Sequence, residues 1–239
     1  AYDDFFESLL QGTWTTNVLK SNKTTQSLTV ENAIGAGAGG TLTMMRYLGV
    51  EASGGSLTLS SNAEIGFSFD LTGMDSSNTS TSIISGATYT DQTERAPLTS
   101  GVDVGTIAFG GYTLDAFESA TINFNYEGRE AQTVLGSSFT KDGITKGALL
   151  PEITARGYVD SNFASLYNAA RDTDHSLFSV TFPLGSVSGK KYTLLFPKCK
   201  FTSANLDFTG TNAMQDITIR AMYDEATEDA SVKLTRAVA

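Results

Sequence analysis

Ser138-Phe139-Thr140-Lys141 and Ser188-Gly189-Lys190-Lys191 carry the S-x-x-K spacing that lets a lysine assist a serine in acyl transfer. The companion motifs S-D-N and K-T-G are absent, and Ser and Thr make up about a quarter of the chain, so such spacings arise by chance. Gly185-Ser186-Val187-Ser188-Gly189 is no nucleophile elbow, because Val187 stands where the serine is needed. His175 follows Asp172-Thr173-Asp174. Catalysis there requires a nucleophile and an orienting acid to converge on it, and a solvated loop histidine is the simpler reading. Cys199 sits between Lys198 and Lys200, which could lower a thiol pKa; a small buried residue on an alternating strand is simpler. Asp3/Asp4 and Glu225/Glu228/Asp229 are acidic groups of the type that hydrolyse glycosides when held across a cleft. Nothing fixes such a pair, so they read as acidic surface. GAGAGG at 35–40 lacks the Gly-Lys-Ser/Thr of a phosphate loop and runs into a strand-like segment. No catalytic constellation, cofactor motif or metal-ligand set emerges, and the chain reads as a non-enzyme.

Composition points the same way. The chain has 239 residues, 40% apolar and 18% charged, with a net charge of −10. That length suits one domain with a real core, needing no disulfide or metal staple. A single cysteine and a single histidine exclude a disulfide framework and clustered-histidine sites. The negative charge argues against a protein that grips nucleic acid, since affinity for phosphates comes mainly from Lys and Arg. No apolar run reaches the roughly 18 residues of a membrane span, so no membrane anchor is expected. The first residues, AYDDFFESLL, lack the basic start of a signal peptide.

The elements that must position these residues are mostly strands. Tyr2, Phe5, Phe6, Leu9 and Leu10 form one apolar stripe of an opening helix, with Gly12 just past its end. Residues 13–19 and 26–31 read as strands flanking a turn at Ser21-Asn22-Lys23, and 41–48 as a further strand. SLTLSS and EIGFSFDLTG then alternate cleanly about Ser61-Asn62-Ala63. Leu57, Leu59, Ile65, Phe67, Phe69 and Leu71 fall on one face, with Ser56, Thr58, Ser60, Glu64, Ser68 and Asp70 on the other. Residues 74–101 read as a long excursion loop, and loops of that length tend to be functional or disordered. Strands are expected at 102–109, 118–126, 152–159, 177–182 and 191–196. A second helix fits 160–171, with Asp160 as N-cap and Phe163, Leu166, Tyr167 and Ala170 as its buried stripe. A second alternating hairpin closes the chain: Ala204, Leu206, Phe208, Ile217, Ile219 and Ala221 against Asn205, Asp207, Asp216, Thr218 and Arg220. The segments TLTMMRYLGVEASGGSLTLSSNAEIGFSFDLTGM and YTLLFPKCKFTSANLDFTGTNAMQDITIRAM share a pattern, each a strand and then a hairpin with Asn-Ala at its tip. This is a weak internal pseudo-symmetry. The architecture expected is mainly β with two short helices, as a sandwich or an open sheet closed by assembly.

The order YDDFFESLLQGTW, SLTVE, YLGV, SLTLSSNAEIGFSFDLTG, FNYEGREAQTVLGS, ITARGYVD, YTLLFPKCKF, ITIRAMYDEATEDASVKLTRA resembles the major tail tube proteins of long-tailed bacteriophages across nearly the whole chain. The resemblance implies a single tail-tube domain over 1–239 whose subunits form hexameric rings stacked head to tail into a hollow tube. Each subunit would give a four-stranded sheet to an inner β-barrel of roughly twenty-four strands, closing the sheet edges. DNA and the tape-measure protein would pass through the lumen, and tail terminator and tail tip proteins would cap the tube. The tail would be the flexible, non-contractile kind. The location implied is the virion tail, assembled in the host cytoplasm. Related proteins carry a further β-rich segment before the YDDFF-type helix, so an N-terminal β segment is expected to be missing here.

With the two hairpins as that inner sheet, Ser56, Thr58, Ser60, Glu64, Ser68, Asp70, Asn205, Asp207, Asp216, Thr218 and Arg220 would line the channel. That wall carries four acids and one base, so DNA would slide past without specific binding. Contacts between subunits or rings are expected from the long loop (Asp75, Thr79, Ile83, Tyr89, Glu94, Arg95) and from a connector at 127–137 (Arg129). The run 232–238 is expected to pair with a neighbour or to close the sheet locally. The alternative reading is a carbohydrate-binding β-sandwich of a tail fibre or surface adhesin. Such sites favour exposed aromatics, and Trp14 with scattered tyrosines supports it weakly.

Overall fold

The computed structural model describes residues 2–35, 42–88, 96–112, 117–135, 141–171 and 176–238. The chain opens with α1 (Asp3–Leu10), whose acidic first turn suits the unpaired amides there. Its stripe packs as the spacing predicts: Leu9 and Leu10 are buried, and Phe6 stands edge-on to Phe67 and Phe69. Gln11, not Gly12, takes the left-handed cap position. Gly12 answers a different need, because a Cβ there would lie 2.2 Å from the Lys20 carbonyl oxygen.

The remaining elements follow in order: β1 (Val18–Lys20), β2 (Leu28–Ile34), β3 (Thr43–Ser60), β4 (Gly66–Thr72), β5 (Asp75–Ser80), α2 (Ser100–Asp103), β6 (Ala108–Phe109) and β7 (Phe117–Glu127). Then come β8 (Ala131–Thr133), β9 (Lys141–Ile144), β10 (Ala148–Tyr158), α3 (Phe163–Arg171), β11 (Phe178–Leu184), β12 (Lys190–Asp207), β13 (Met214–Met222) and β14 (Lys233–Val238). The molecule is mainly β, with three short helices among the described residues where the sequence suggested two.

Two layers enclose the core. The broad layer runs β4–β3–β7–β10–β13–β12, all antiparallel, using the second halves of β3 and β12. The second layer gathers β11 and β14 on the first half of β12, with β6 on β11 and β1 on β14. One dry row crosses the broad layer as Phe67, Leu57, Ile122, Ile153, Ile219 and Phe201. From the second layer Val180, Phe182, Leu194, Phe196 and Leu234 join the same cluster, the usual solution for two half-greasy sheets. An apolar cavity of about 150 Å³ remains where α1 meets both layers.

Several boundaries differ from the sequence reading. Ser21-Asn22-Lys23 is not a hairpin turn. β1 pairs with β14 and β2 with β3, and Ser21 is tied to Ser231 and Val232 instead. Thr43–Ser60 is one strand, β3, which joins the strand expected up to 48 with the one at 56–60 and carries Gly49 at φ +58. A side chain there is strained by backbone conformation and would meet Met74. The supposed loop after 74 begins as β5, because the Met74 amide bonds the Leu48 carbonyl and carries the chain along β3. Residues 102–109 divide between α2 and β6 rather than forming one strand. β14 pairs within the chain, between β12 and β1.

The pseudo-symmetry becomes a repeated topology. In β2–β3–β4–β5 a strand pairs with the first half of an 18-residue strand, a hairpin follows, and the return splits in two along that strand. In β11–β12–β13–β14 the same order recurs on another 18-residue strand. A helix, α1 or α3, precedes each set.

Candidate functional site: a polar sheet face between two open edges

Alternation with period two sends every second side chain of the broad layer away from the core. The registers align these into rows: Ser68, Ser56, Asn123, Glu152, Arg220, Lys200; then Gly66, Thr58, Thr121, Thr154, Thr218, Ser203; then Ser60, Ser119, Arg156, Asp216, Asn205. Ser56 and Ser68 share a 2.8 Å hydroxyl hydrogen bond, and the Thr202 hydroxyl donates to the Thr218 carbonyl. Asp70 and Asp207 extend the face at its two margins, opposite Gly54 and Met214. Of the residues expected to line a channel, only Glu64 lies outside both the rows and these margins. It sits in the turn before β4, bridged to Thr99.

The structure adds what hairpin reading alone omitted. β7 and β10 stand between the two hairpins, so the sheet has six strands and not four. Their polar residues, Ser119, Thr121, Asn123, Glu152, Thr154 and Arg156, occupy its centre. The signal was present in the sequence, since Ile122 and Phe124 alternate with Thr121 and Asn123 as clearly as the hairpins do.

Arg156 changes the electrostatics. Its guanidinium holds Asp216 through bonds of 3.0 and 2.9 Å and Asp207 through one of 2.7 Å. Glu118, turned to this face by a bulge beside Gly157, lies 4.0 Å away. The Asp207 carboxyl sits well below the usual carboxylate range, first through the Thr209 hydroxyl, then through Arg156 and the Thr209 amide. Arg156 is raised in turn by hydrogen bonds to Asp207 and Asp216. Asp70, Glu118, Glu152, Asp207 and Asp216 thus face Arg156, Lys200 and Arg220. With five acids to three bases the face stays net acidic, though proportionally less so than four acids against one base.

Both lateral edges of this sheet are open among the described residues. β4 pairs with β3 alone, and β12 from Lys200 onward pairs with β13 alone. Apolar side chains stand exposed beside them: Leu71 at 41% on β4, Leu206 at 41% and Phe208 at 69% at the end of β12.

The expected contact residues divide. Asp75 and Thr79 lie on β5, which with β2 and the first half of β3 makes a three-stranded arm. Ile34, Leu42, Tyr47, Leu48 and Ile83 are exposed along it. Tyr89, Glu94 and Arg95 lie outside the described residues. Arg129 is turned inward, contrary to expectation. Its side chain is buried on Glu51, stacks over Tyr126 at 4.8 Å and donates to the Lys146 carbonyl at 3.1 Å. Burial pushes the Glu51 carboxyl up against the opposing pull of Arg129 and Lys146. The connector it sits in forms the β8–β9 hairpin, with Leu135 fully exposed.

Of the catalytic readings, the geometry contradicts the reactive thiol. Cys199 is buried and its thiol is pushed up to about 12 by desolvation, the reverse of activation. His175 and most of the glycine run fall outside the described residues. Trp14 packs at the helix, donating to the Asp3 carbonyl beneath the Arg236 guanidinium.

A mainly β subunit with a two-faced sheet and exposed edges defines a structural class of protein. The sequence matches the family described as phage tail tube protein over residues 1–235, and the chain belongs to that family. It is a structural tail protein and a component of the phage virion. Among curated proteins nothing matches it. Among the described residues no helix is long and apolar enough to cross a membrane.

Proposed function

We propose that copies of this chain join edge to edge into closed rings, and that the rings stack into the hollow tail tube through which phage DNA passes into the host. The observation that supports this most is the six-stranded sheet with one dry face, one polar face and two unpaired edges. Free edges template further pairing, and ring closure satisfies them without indefinite growth in the sheet plane. Following the resemblance, each ring is a homo-hexamer, six copies of the chain around the channel. The polar face turns to the lumen, where Ser, Thr and Asn with a small excess of acids let phosphates pass without being gripped. The arm and the β8–β9 hairpin reach the rings above and below. The tape-measure protein occupies the lumen before DNA does, and terminator and tip proteins close the ends. Assembly takes place in the host cytoplasm.

Placing Asp70→Lys and Thr58→Lys on the polar face tests the channel assignment. Assembled particles should release DNA more slowly, with the delay fading at high salt. Unchanged ejection at low salt would contradict it.

A further inference from the structure

Close-packed interiors hold few voids wider than a water molecule, and the cavity beneath α1, at about 150 Å³, is far larger. We propose that it is a binding site for one small uncharged apolar molecule, a single aromatic ring or an alkyl chain of about six carbons. The site belongs to the single chain and stands apart from the tail tube reading.

Size and lining point to that class of guest. Among the described residues only leucine, isoleucine, phenylalanine and tyrosine line the cavity. A void of about this volume with such walls stays dry and takes up benzene or xenon. Water finds too few polar partners there, and a charged guest would lose its hydration without replacement. While the space is empty, its wall atoms lack dispersion partners on one side. An apolar guest supplies them.

The walls are held apart. Leu57, Phe124, Leu184, Leu194 and Leu234 form the buried side. Each is fixed by the ladder of its own strand, on β3, β7, β11, β12 and β14 respectively. α1 is the remaining wall, and it is fastened at both ends. The Ala52 amide donates to the Ser8 hydroxyl at 2.8 Å, and the Tyr126 hydroxyl donates to the Leu9 carbonyl. At the other end the Trp14 indole N–H donates to the Asp3 carbonyl at 3.3 Å. The entrance lies past the first turn of α1, where Tyr2 is 57% exposed and Phe6, Ile65, Leu98 and Tyr192 are half-buried. A bound guest ties α1 to both layers, so the melting temperature should rise with its concentration.

The experiment is headspace partitioning of benzene over solutions of the full chain, with melting curves read on the same samples. Saturable uptake of one molecule per chain is expected, with a dissociation constant of about 1 mM or tighter for a six-atom ring. Pyridine has the same shape with a ring nitrogen, and should bind at least about tenfold more weakly. Leu57→Phe and Leu194→Phe each put a larger side chain into the space and should weaken benzene at least about tenfold, their own melting curves showing that they fold. Uptake that rises without saturating, pyridine held as tightly as benzene, or undiminished uptake in both folded variants would each overturn the site. Crystals of the parent chain under xenon pressure need no variant: density between Leu57 and Leu194 is expected, and its absence there would equally overturn the proposal.

Discussion

At the scale of single residues, the two arginines that matter most do opposite things. Arg129 is buried against Glu51, and removing one member of such a pair strands a charge in the interior. Arg129→Ala should cost about 3 kcal/mol at neutral pH, read by urea denaturation. Glu51 is already raised by burial and would rise further without its partner. A raised carboxyl favours the folded state when protonated, so the deficit should shrink as pH falls toward the unfolded value of 4.5. A deficit independent of pH would mean that Arg129 acts through packing on Tyr126 alone. Arg156 is exposed enough for water to screen its pairs, and Arg156→Ala should leave the melting temperature close to the parent's. Its effect belongs to the face, where Asp207 and Asp216 lose their counter-charge. Glu228, lowered first by Lys233 and also by Lys20, ties β14 to β1. A lowered carboxyl stabilises above its unfolded value near 4.5 and loses that contribution as pH drops. Glu228→Gln should therefore flatten the fall in melting temperature between about pH 5 and pH 3.

At the scale of elements, helix α3 rests on one fully buried side chain, Leu166. Leu166→Ala should cost roughly 3 kcal/mol, near the middle of core truncations. The arm is held differently, by main-chain pairing with exposed apolar residues on it. Tyr47→Asp with Leu48→Asp should leave the melting temperature within a few degrees of the parent, yet shorten tubes measured by negative stain. Full-length tubes would exclude the arm from ring stacking. The contrast shows what could be read from sequence. Strict alternation made the β3–β4 and β12–β13 hairpins legible, and the stripes of α1 and α3 marked both helices. The arm was not legible, because DSSNTS has the composition of a loop and becomes β5 only through pairing along β3. The inward turn of Arg129 was equally hidden, since its partner Glu51 is 78 residues away.

At the scale of the whole molecule, the net charge of −10 resides mostly away from the polar face, where three cations partly offset five acids. With the polar face as the proposed channel lining, solubility and DNA passage would belong to different surfaces, and assembled tubes should retain no duplex DNA in a filter-binding assay even at low salt. The most direct measurement is cryo-electron microscopy of polymers grown from the purified full chain. The account predicts hollow tubes of uniform diameter with Ser68, Asn123, Glu152 and Lys200 facing the lumen. Tubes with that row on the outer wall, or a chain that stays a discrete soluble species at every concentration, would contradict it.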